Sequence, residues 1–512
     1  MLSGERPFAG PTPQAVMTKR FTETPKPLRA LRSIIPEPVE KAVSRAMSTN
    51  ADNRYRTAAQ FAQALASGTV TTPSDTATLP QQVVASAKSV AVLPFSNMST
   101  DAENEYFADG MAEEIINALS KIQSLRVASR TVSFALKGKN EDLAEIGKKL
   151  KVSTILDGSV RRMGNRLRIT AQLVNVADGY QLWSERYDRE MEDVFAIQDD
   201  ISQAIVKSLR VILSEGEKKQ IEKARAVNVK AYDFYLRGRQ QFHQLRRKSL
   251  EYARQMFNKA IEIEPEYARA YAGVADCYSQ LYTYFDAREF NLRQADFASQ
   301  KALDLEPELA EAHVSRGLAV SLSKRFDEAQ REFDTALKLD PKLFEAAYWF
   351  ARSRLAQGEF EDAVRLFERA AALRPENYET PGFIGQALIA LGRREEAEVA
   401  YHRQVHLIDQ HLELNPEDAR ALILGATAHA NVNNAERATE LAAAAIAVDR
   451  EDPMLLYNVA CTYARLGKVD ESLDALEHAV ERGWGDRAWI EHDSDLDPIR
   501  ESSRYRSLIQ AM

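Results

Sequence analysis

The chain has 512 residues, 45% of them apolar and 28% charged, with a formal net charge of −8. That apolar content excludes general disorder, and the acidic balance argues against nucleic acid as a main partner, because phosphate binding needs a basic face. The two cysteines, Cys277 and Cys461, sit far apart in helical patterns, which suits a reducing compartment and not a disulfide framework. No basic-then-apolar leader opens the chain, and no run approaches the roughly 18 apolar residues of a membrane helix. A soluble cytoplasmic protein of about three domains is expected.

Residues 1–66 come first. The stretches MLSGERPFAGPTPQAVMTKRFTETPKPL and IPEPVEKAVSRAMSTNADNRYRTAAQFAQAL resemble the end of a bacterial serine/threonine protein kinase C-lobe. NADNRYRTAAQF matches the segment that carries the family's structural arginine, here Arg54. Phosphoryl transfer needs a glycine-rich loop, a strand lysine, a catalytic-loop aspartate and a metal-binding aspartate. None is found here, and there is no phosphate-binding G-x-x-x-x-G-K-[ST] loop. The chain as written is therefore expected to be non-catalytic, with no cofactor and no metal. The resemblance implies either the C-terminal portion of a kinase whose start lies upstream, which is preferred, or a decayed tail. Residues 67–87, with TVTTPSDTATLPQQ, read as a flexible tether.

Residues 88–213 read as a small α/β domain. SVAVLPF is a buried strand, and DGMAEEIINALSKI is a helix with Asp109 as expected N-cap. LRVASRTVSFAL alternates like a strand, and DLAEIGKKLKV is amphipathic. STILDGSVRRM, NRLRITAQLVNVA and YQLWSERYD are three strands split by turns at Gly164-Asn165 and Asp178-Gly179, the second a strong hairpin signal. The order predicts a mixed sheet with helices on one side. VFAIQDDISQAIVKSLRVIL is a further helix, and residues 214–230 a connecting helix. SVAVLPFSNMS, EYFADGMAEEIINAL, LDGSVRRMGNRLRITAQLVN and LWSERYDRE together resemble the TolB-like domain that precedes tetratricopeptide arrays in bacterial regulatory proteins. That resemblance implies an accessory binding module. Asp109, Asp157, Glu185 and Asp188 are read as turn and edge carboxylates, and Arg161, Arg162, Arg166 and Arg168 as a basic hairpin.

Residues 231–483 repeat. Helices end at Pro265, Pro307, Pro341, Pro375 and Pro416, with spacings of 42, 34, 34 and 41. A step of 34 is the tetratricopeptide period, and the residues that carry the resemblance hold register. Ala351, Gly358, Ala363, Phe367 and Ala370 recur one period earlier as Gly317, Ala329, Phe333 and Ala336, and one later as Gly385, Gly392, Ala397 and Tyr401. Small residues let two helices approach, and an aromatic fills the gap to the next hairpin. About seven helical hairpins stacked as an α-solenoid are expected. The 41-residue step predicts a second helix longer by about two turns. The 42-residue step places extra residues around YTYFDAREFN in a turn. Residues 484–512 break the period and read as a cap, with Trp484, Trp489 and Leu508 covering the last apolar face.

Solenoid stacking leaves the first helix of each hairpin on a concave groove. By repeat position, Tyr348, Arg352, Gln386, Arg420, Asn431, Tyr457 and Arg465 are expected on its wall, to bind a protein partner. His402 and His406 are four apart, but Arg403 stands where a zinc-protease motif has glutamate, so scattered surface histidines are expected. The fold class is multidomain: an α-solenoid, a small α/β domain with a mixed sheet, and an N-terminal helical kinase C-lobe remnant.

Overall fold

The computed structural model describes residues 27–32, 35–48, 88–99, 101, 104–139, 142–211, 213, 227–484 and 487–512, and positions 55, 61 and 65 singly. The chain divides into two units, 1–85 and 86–512. In the first, α1 (Leu28–Leu31) is followed by α2 (Glu37–Ala46). Lys41 pairs with Glu37 one helical turn away at 2.7 Å, and Arg45 lies 4.6 Å above the Tyr55 ring. Most of the kinase-like stretch, Arg54 included, lies outside the described residues, as do the tether and residues 214–226.

The second unit opens with the α/β domain. Its elements are β1 (Ser89–Val92), β2 (Ser96–Asn97), α3 (Glu105–Ser120), β3 (Arg126–Val127), α4 (Arg130–Phe134) and α5 (Leu143–Leu150). Then follow β4 (Thr154–Met163), β5 (Arg166–Asn175), β6 (Gln181–Glu190) and α6 (Val194–Ser208). The sheet order is β3-β1-β4-β5-β6, with β3, β1 and β4 parallel and β5 and β6 antiparallel. Gly164 and Gly179 take positive φ in the two turns, where only a residue without Cβ is unstrained.

Three expectations fail here. Asp109 lies inside α3, whose N-cap is Asn104, because burying Tyr106 and Phe107 extends the helix backwards. LRVASRTVSFAL gives two strand residues and then α4, because Leu136 just beyond it must reach the core. Helices cover both faces of the sheet. Val90, Val92 and Leu156 join the core of α3 and α6, while Ala91, Leu93 and Ile155 pack with Leu136 and Ile146 of the α4–α5 segment.

Seven hairpins follow. Their first helices are α7 (Val229–Phe242), α9 (Ala268–Tyr284), α11 (Ala310–Leu322), α13 (Phe344–Gln357), α15 (Glu379–Ala390), α17 (Ala419–Asn431) and α19 (Pro453–Arg465). The second helices are α8 (Arg247–Ile263), α10 (Glu289–Leu305), α12 (Phe326–Leu339), α14 (Phe360–Leu373), α16 (Arg394–Leu414), α18 (Ala435–Val448) and α20 (Val469–Glu481). α16 has 21 residues against 14 in α14, so the 41-residue step is a longer second helix. The 42-residue step is not a long turn. α9 and α10 have 17 residues each, against 13 and 14 in α11 and α12, so nearly all the extra length is helix. Helical continuation satisfies backbone groups that a loop would leave to water.

Gly358, Gly392 and Gly467 adopt the left-handed conformation in the turns between paired helices, as a helix stop requires. Gly317 faces Phe333, whose ring would lie 2.8 Å from any added Cβ. The aromatic of the second helix thus occupies the space that the missing side chain of the first leaves open. Beyond α20, α21 (Arg487–His492), a 3-10 turn (Ser494–Ile499) and α22 (Ser503–Ala511) form the cap. Ile490, Leu496, Ile499, Tyr505 and Ile509 are buried in one core with Leu455 and Tyr457. Trp484 and Leu508 pack against that core, while the Trp489 side chain lies outside the described residues.

Candidate functional site: the inner face of the repeats

First helices of successive hairpins touch directly, α9 with α11, α11 with α13, and α17 with α19, while the second helices stand farther apart. The array therefore curves with its first helices inside.

Four first helices meet in one polar and aromatic cluster. The Arg420 Nε of α17 donates to Glu379 Oε1 of α15 at 2.6 Å. Tyr348 of α13 donates its hydroxyl to Glu379 Oε2, also at 2.6 Å. Arg352 donates to the Tyr284 hydroxyl at 2.7 Å and lies against the rings of Phe383 (4.8 Å) and Trp349 (5.1 Å). Arg420 also stacks on Tyr284, 4.8 Å from the ring centre. The side chains of Arg420 and Glu379 are 25% and 16% exposed, so the cluster is reachable from solvent. Burial pushes the Glu379 carboxyl up, but Arg420 and the two donated hydrogen bonds outweigh it and hold the group below its ordinary value.

Tyr348, Arg352 and Arg420 are thus brought together by the fold, whereas the other expected wall residues are not part of the cluster. Gln386 is exposed on α15. Asn431 ends α17, half-buried, and its Oδ1 has no hydrogen-bond partner among the described residues. Tyr457 and Arg465 are taken up by the cap. Tyr457 donates to Asp493 and stacks on Trp484 at 4.7 Å, while Arg465 pairs with Asp495 at 2.9 Å. Counting repeat positions could not reveal this, because the cap lies outside the period. Tyr284 was also missed. It reaches Arg352 and Arg420 because α9 continues as helix to that position.

A second set of contacts ties the α/β domain to the repeats. Glu113 of α3, only 4% exposed, accepts from Arg239 Nη2 at 2.6 Å, Arg130 Nε at 2.9 Å and His243 at 3.1 Å. Burial pushes its carboxyl up, yet Arg239 and its other neighbours hold it well below the ordinary value. Arg269 pairs with Glu114 at 2.9 Å. Farther along, Lys342 donates to the carbonyls of Ile122 and Gln123 beyond the end of α3, at 2.8 and 2.9 Å. Ser129 donates to Glu376, and Lys139 to the Leu414 carbonyl at 2.8 Å. The α/β domain therefore touches the array at points from the first hairpin to the end of the fifth.

His402 and His406 are exposed, and His411 is turned to Asp418 at 2.8 Å. Cys461, Asp493 and Asp495 have donor atoms within 4.8 Å of one another. Burial and the adjacent Asp493 raise the Cys461 thiol well above its ordinary value, and Tyr457 and Arg465 already engage the carboxylates, so the group is a hydrogen-bonded seam of the cap. No described helix is long and apolar enough to cross a membrane.

Residues 318–377, 354–406 and 423–487 match tetratricopeptide repeat families, and the C-terminal half is an array of such repeats. Residues 86–207, the stretch likened above to TolB-like domains, match the second domain of HilA/YgeH-like transcriptional regulators. The chain is 41% identical over 263 residues to "Putative adenylate cyclase 3" of Rhizobium meliloti (strain 1021), covering 50% of this chain and 44% of that protein. It is 41% identical over 54 residues to a chloroplastic protein of Arabidopsis thaliana, covering 10% and 16%. The chain thus spans less than half the length of these curated relatives. Among solved structures, TTC0263, a thermophilic TPR protein in Thermus thermophilus, aligns at 22% identity over 40% of this chain and 100% of that one, with a TM-score of 0.32.

Proposed function

We propose that this chain is a non-catalytic scaffold or sensor in bacterial signal transduction, cytoplasmic, which captures a protein partner on the inner face of its repeats. The observation that carries the reading is the partly exposed Arg352–Tyr284–Arg420 cluster on that face, with Gln386 exposed on α15, one of its helices. Arginine and tyrosine on a semi-rigid helical wall are the side chains that anchor protein interfaces. The α/β domain, TolB-like in this reading, braces the same face and passes on whether it is occupied. The relative named a putative adenylate cyclase supports a place in signalling.

A second reading is favoured by the length of that relative. The chain is the C-terminal portion of a longer signalling enzyme whose catalytic domain precedes it. Residues 1–66 point to a serine/threonine kinase, and the relative's name points to a nucleotide cyclase.

The test is affinity capture with the full chain against Arg352→Gln and Gln386→Ala variants of unchanged melting temperature. A partner retained by wild type and lost from both supports the reading. A partner indifferent to both changes moves recognition off this face.

A further inference from the structure

The sheet ends on β6, a ten-residue strand hydrogen-bonded to β5 on one side. Its other side carries no strand among the described residues. A long free edge is a template for strand addition, and proteins usually protect it with charges that repel a second strand. The charges on β6 are ordered differently.

The central residues are Glu185, Arg186, Tyr187, Asp188 and Arg189. Tyr187 is buried, and the four charged residues around it are exposed. In an antiparallel pair, residues directly opposite share a face and lie close enough to interact. Two copies of β6 paired about Tyr187 bring Arg186 opposite Asp188 of the second copy. Glu185 then stands opposite Arg189 of the second copy, and two-fold symmetry repeats both pairs. Each of these four charges meets its opposite, and Glu190 at the end of the strand faces the neutral Ser184 of the second copy. Only shifts of two residues keep each side chain on its own face. A shift of two either way sets Arg186 against its own copy or Asp188 against its own.

Within one chain Glu185 accepts from the Tyr187 hydroxyl at 3.3 Å and Arg189 donates to the Asp188 carbonyl at 3.2 Å, but neither faces an opposite charge on β5. Across the ladder to β5, Glu185 stands beside Ala171 and Arg189 beside Leu167. Asp188 does have Arg168 at 2.6 Å, whereas Arg186 lies 3.4 Å from it with 65% of its side chain exposed. We propose that β6 is a self-association edge, and that two copies of this chain join their sheets antiparallel through a two-fold axis at Tyr187. The surface lies on the α/β domain, so the inference stands apart from the partner reading of the repeats.

The test is sedimentation velocity on the full chain over a dilution series. Wild type should form a reversible dimer. Glu185→Arg and Arg189→Glu each convert two opposite pairs into two like pairs, which raises Kd about tenfold or more. The two variants change net charge in opposite senses, so equal weakening of both points to specific pairing. An equimolar mixture of the two restores opposite charges across the axis and should dimerise like wild type. Both positions are exposed, and unchanged melting temperatures verify that the fold is intact. A wild type that stays monomeric throughout overturns the proposal. So does a dimer that ignores both reversals, or a mixture that fails to recover.

Discussion

Glu113 shows what a buried charge needs. It sits between α3, α4 and α7 with two arginines and an imidazole around it, and this coordination compensates the loss of water. His243 is the titratable member of the group. Burial, with Arg130 next to it, depresses its pKa to about 4, so at neutral pH it is uncharged. A depressed folded-state value means that the unfolded chain binds the proton first, between about 6.5 and 4. Stability from this group is complete above that window and is lost as pH falls through it. The sign is opposite for Asp276, which burial raises to about 6, so the informative quantity is a difference between variants. His243→Gln should remove roughly 2 kcal/mol of the acid-induced loss between pH 7 and pH 4, read from urea unfolding at the two pH values. An identical pH response would show that His243 titrates normally.

At the scale of elements, the hairpin is held by size complementarity. Gly317 on α11 admits the Phe333 ring of α12, and both are buried in the fold. Gly317→Val places a Cβ and two methyl groups in a space already filled by a ring, and the few tenths of a kcal/mol that valine gains over glycine in helix propensity do not offset the overpacking. The expected loss is roughly 2 kcal/mol or more, measured as a shift of the urea midpoint at unchanged slope. A neutral effect would mean that the ring has room to move. The second hairpin shows how an insertion creates long-range contacts. Its added length is helix, and the end of α9 therefore projects Tyr284 onto arginines two and four hairpins away.

At the scale of the molecule, the α/β domain and the first two hairpins share one apolar core that includes Phe107, Tyr232, Leu236 and Phe257. Tyr232 receives a hydrogen bond from Gln198 of α6 at 2.7 Å and packs on Phe195 at 4.7 Å. Gly110 of α3 lies so close to Leu236 that an added Cβ would fall 2.7 Å from its methyl group. A fragment of residues 228–512 should therefore expose the Tyr232–Leu236 face of α7, melt several degrees below residues 86–512 and bind a hydrophobic dye. Equal melting temperatures would show that the two parts fold independently. Farther along, Lys342, Ser129 and Lys139 make polar contacts between the domain and the array among the described residues. Such contacts orient hairpins four and five without welding them to the domain.

The sequence alone determined the period, the seven hairpins, the stop glycines, the long α16 and the three-stranded meander, because each follows from local spacing. Alternation, left-handed turns and helix length need no distant partner to be read. The inner-face residues were legible only in part, since a repeat position assigns a residue to a face but not to a neighbour. Tyr348, Arg352 and Arg420 converge only because Glu379 and Tyr284 reach them from other hairpins, while the nonperiodic cap draws Tyr457 and Arg465 away. The second helix layer on the sheet and the α/β domain's seat against the array were likewise decided by tertiary structure. Both depend on which apolar faces meet across long sequence separations, and hydrophobic contact is non-directional, so its pairing is settled only when the whole chain packs.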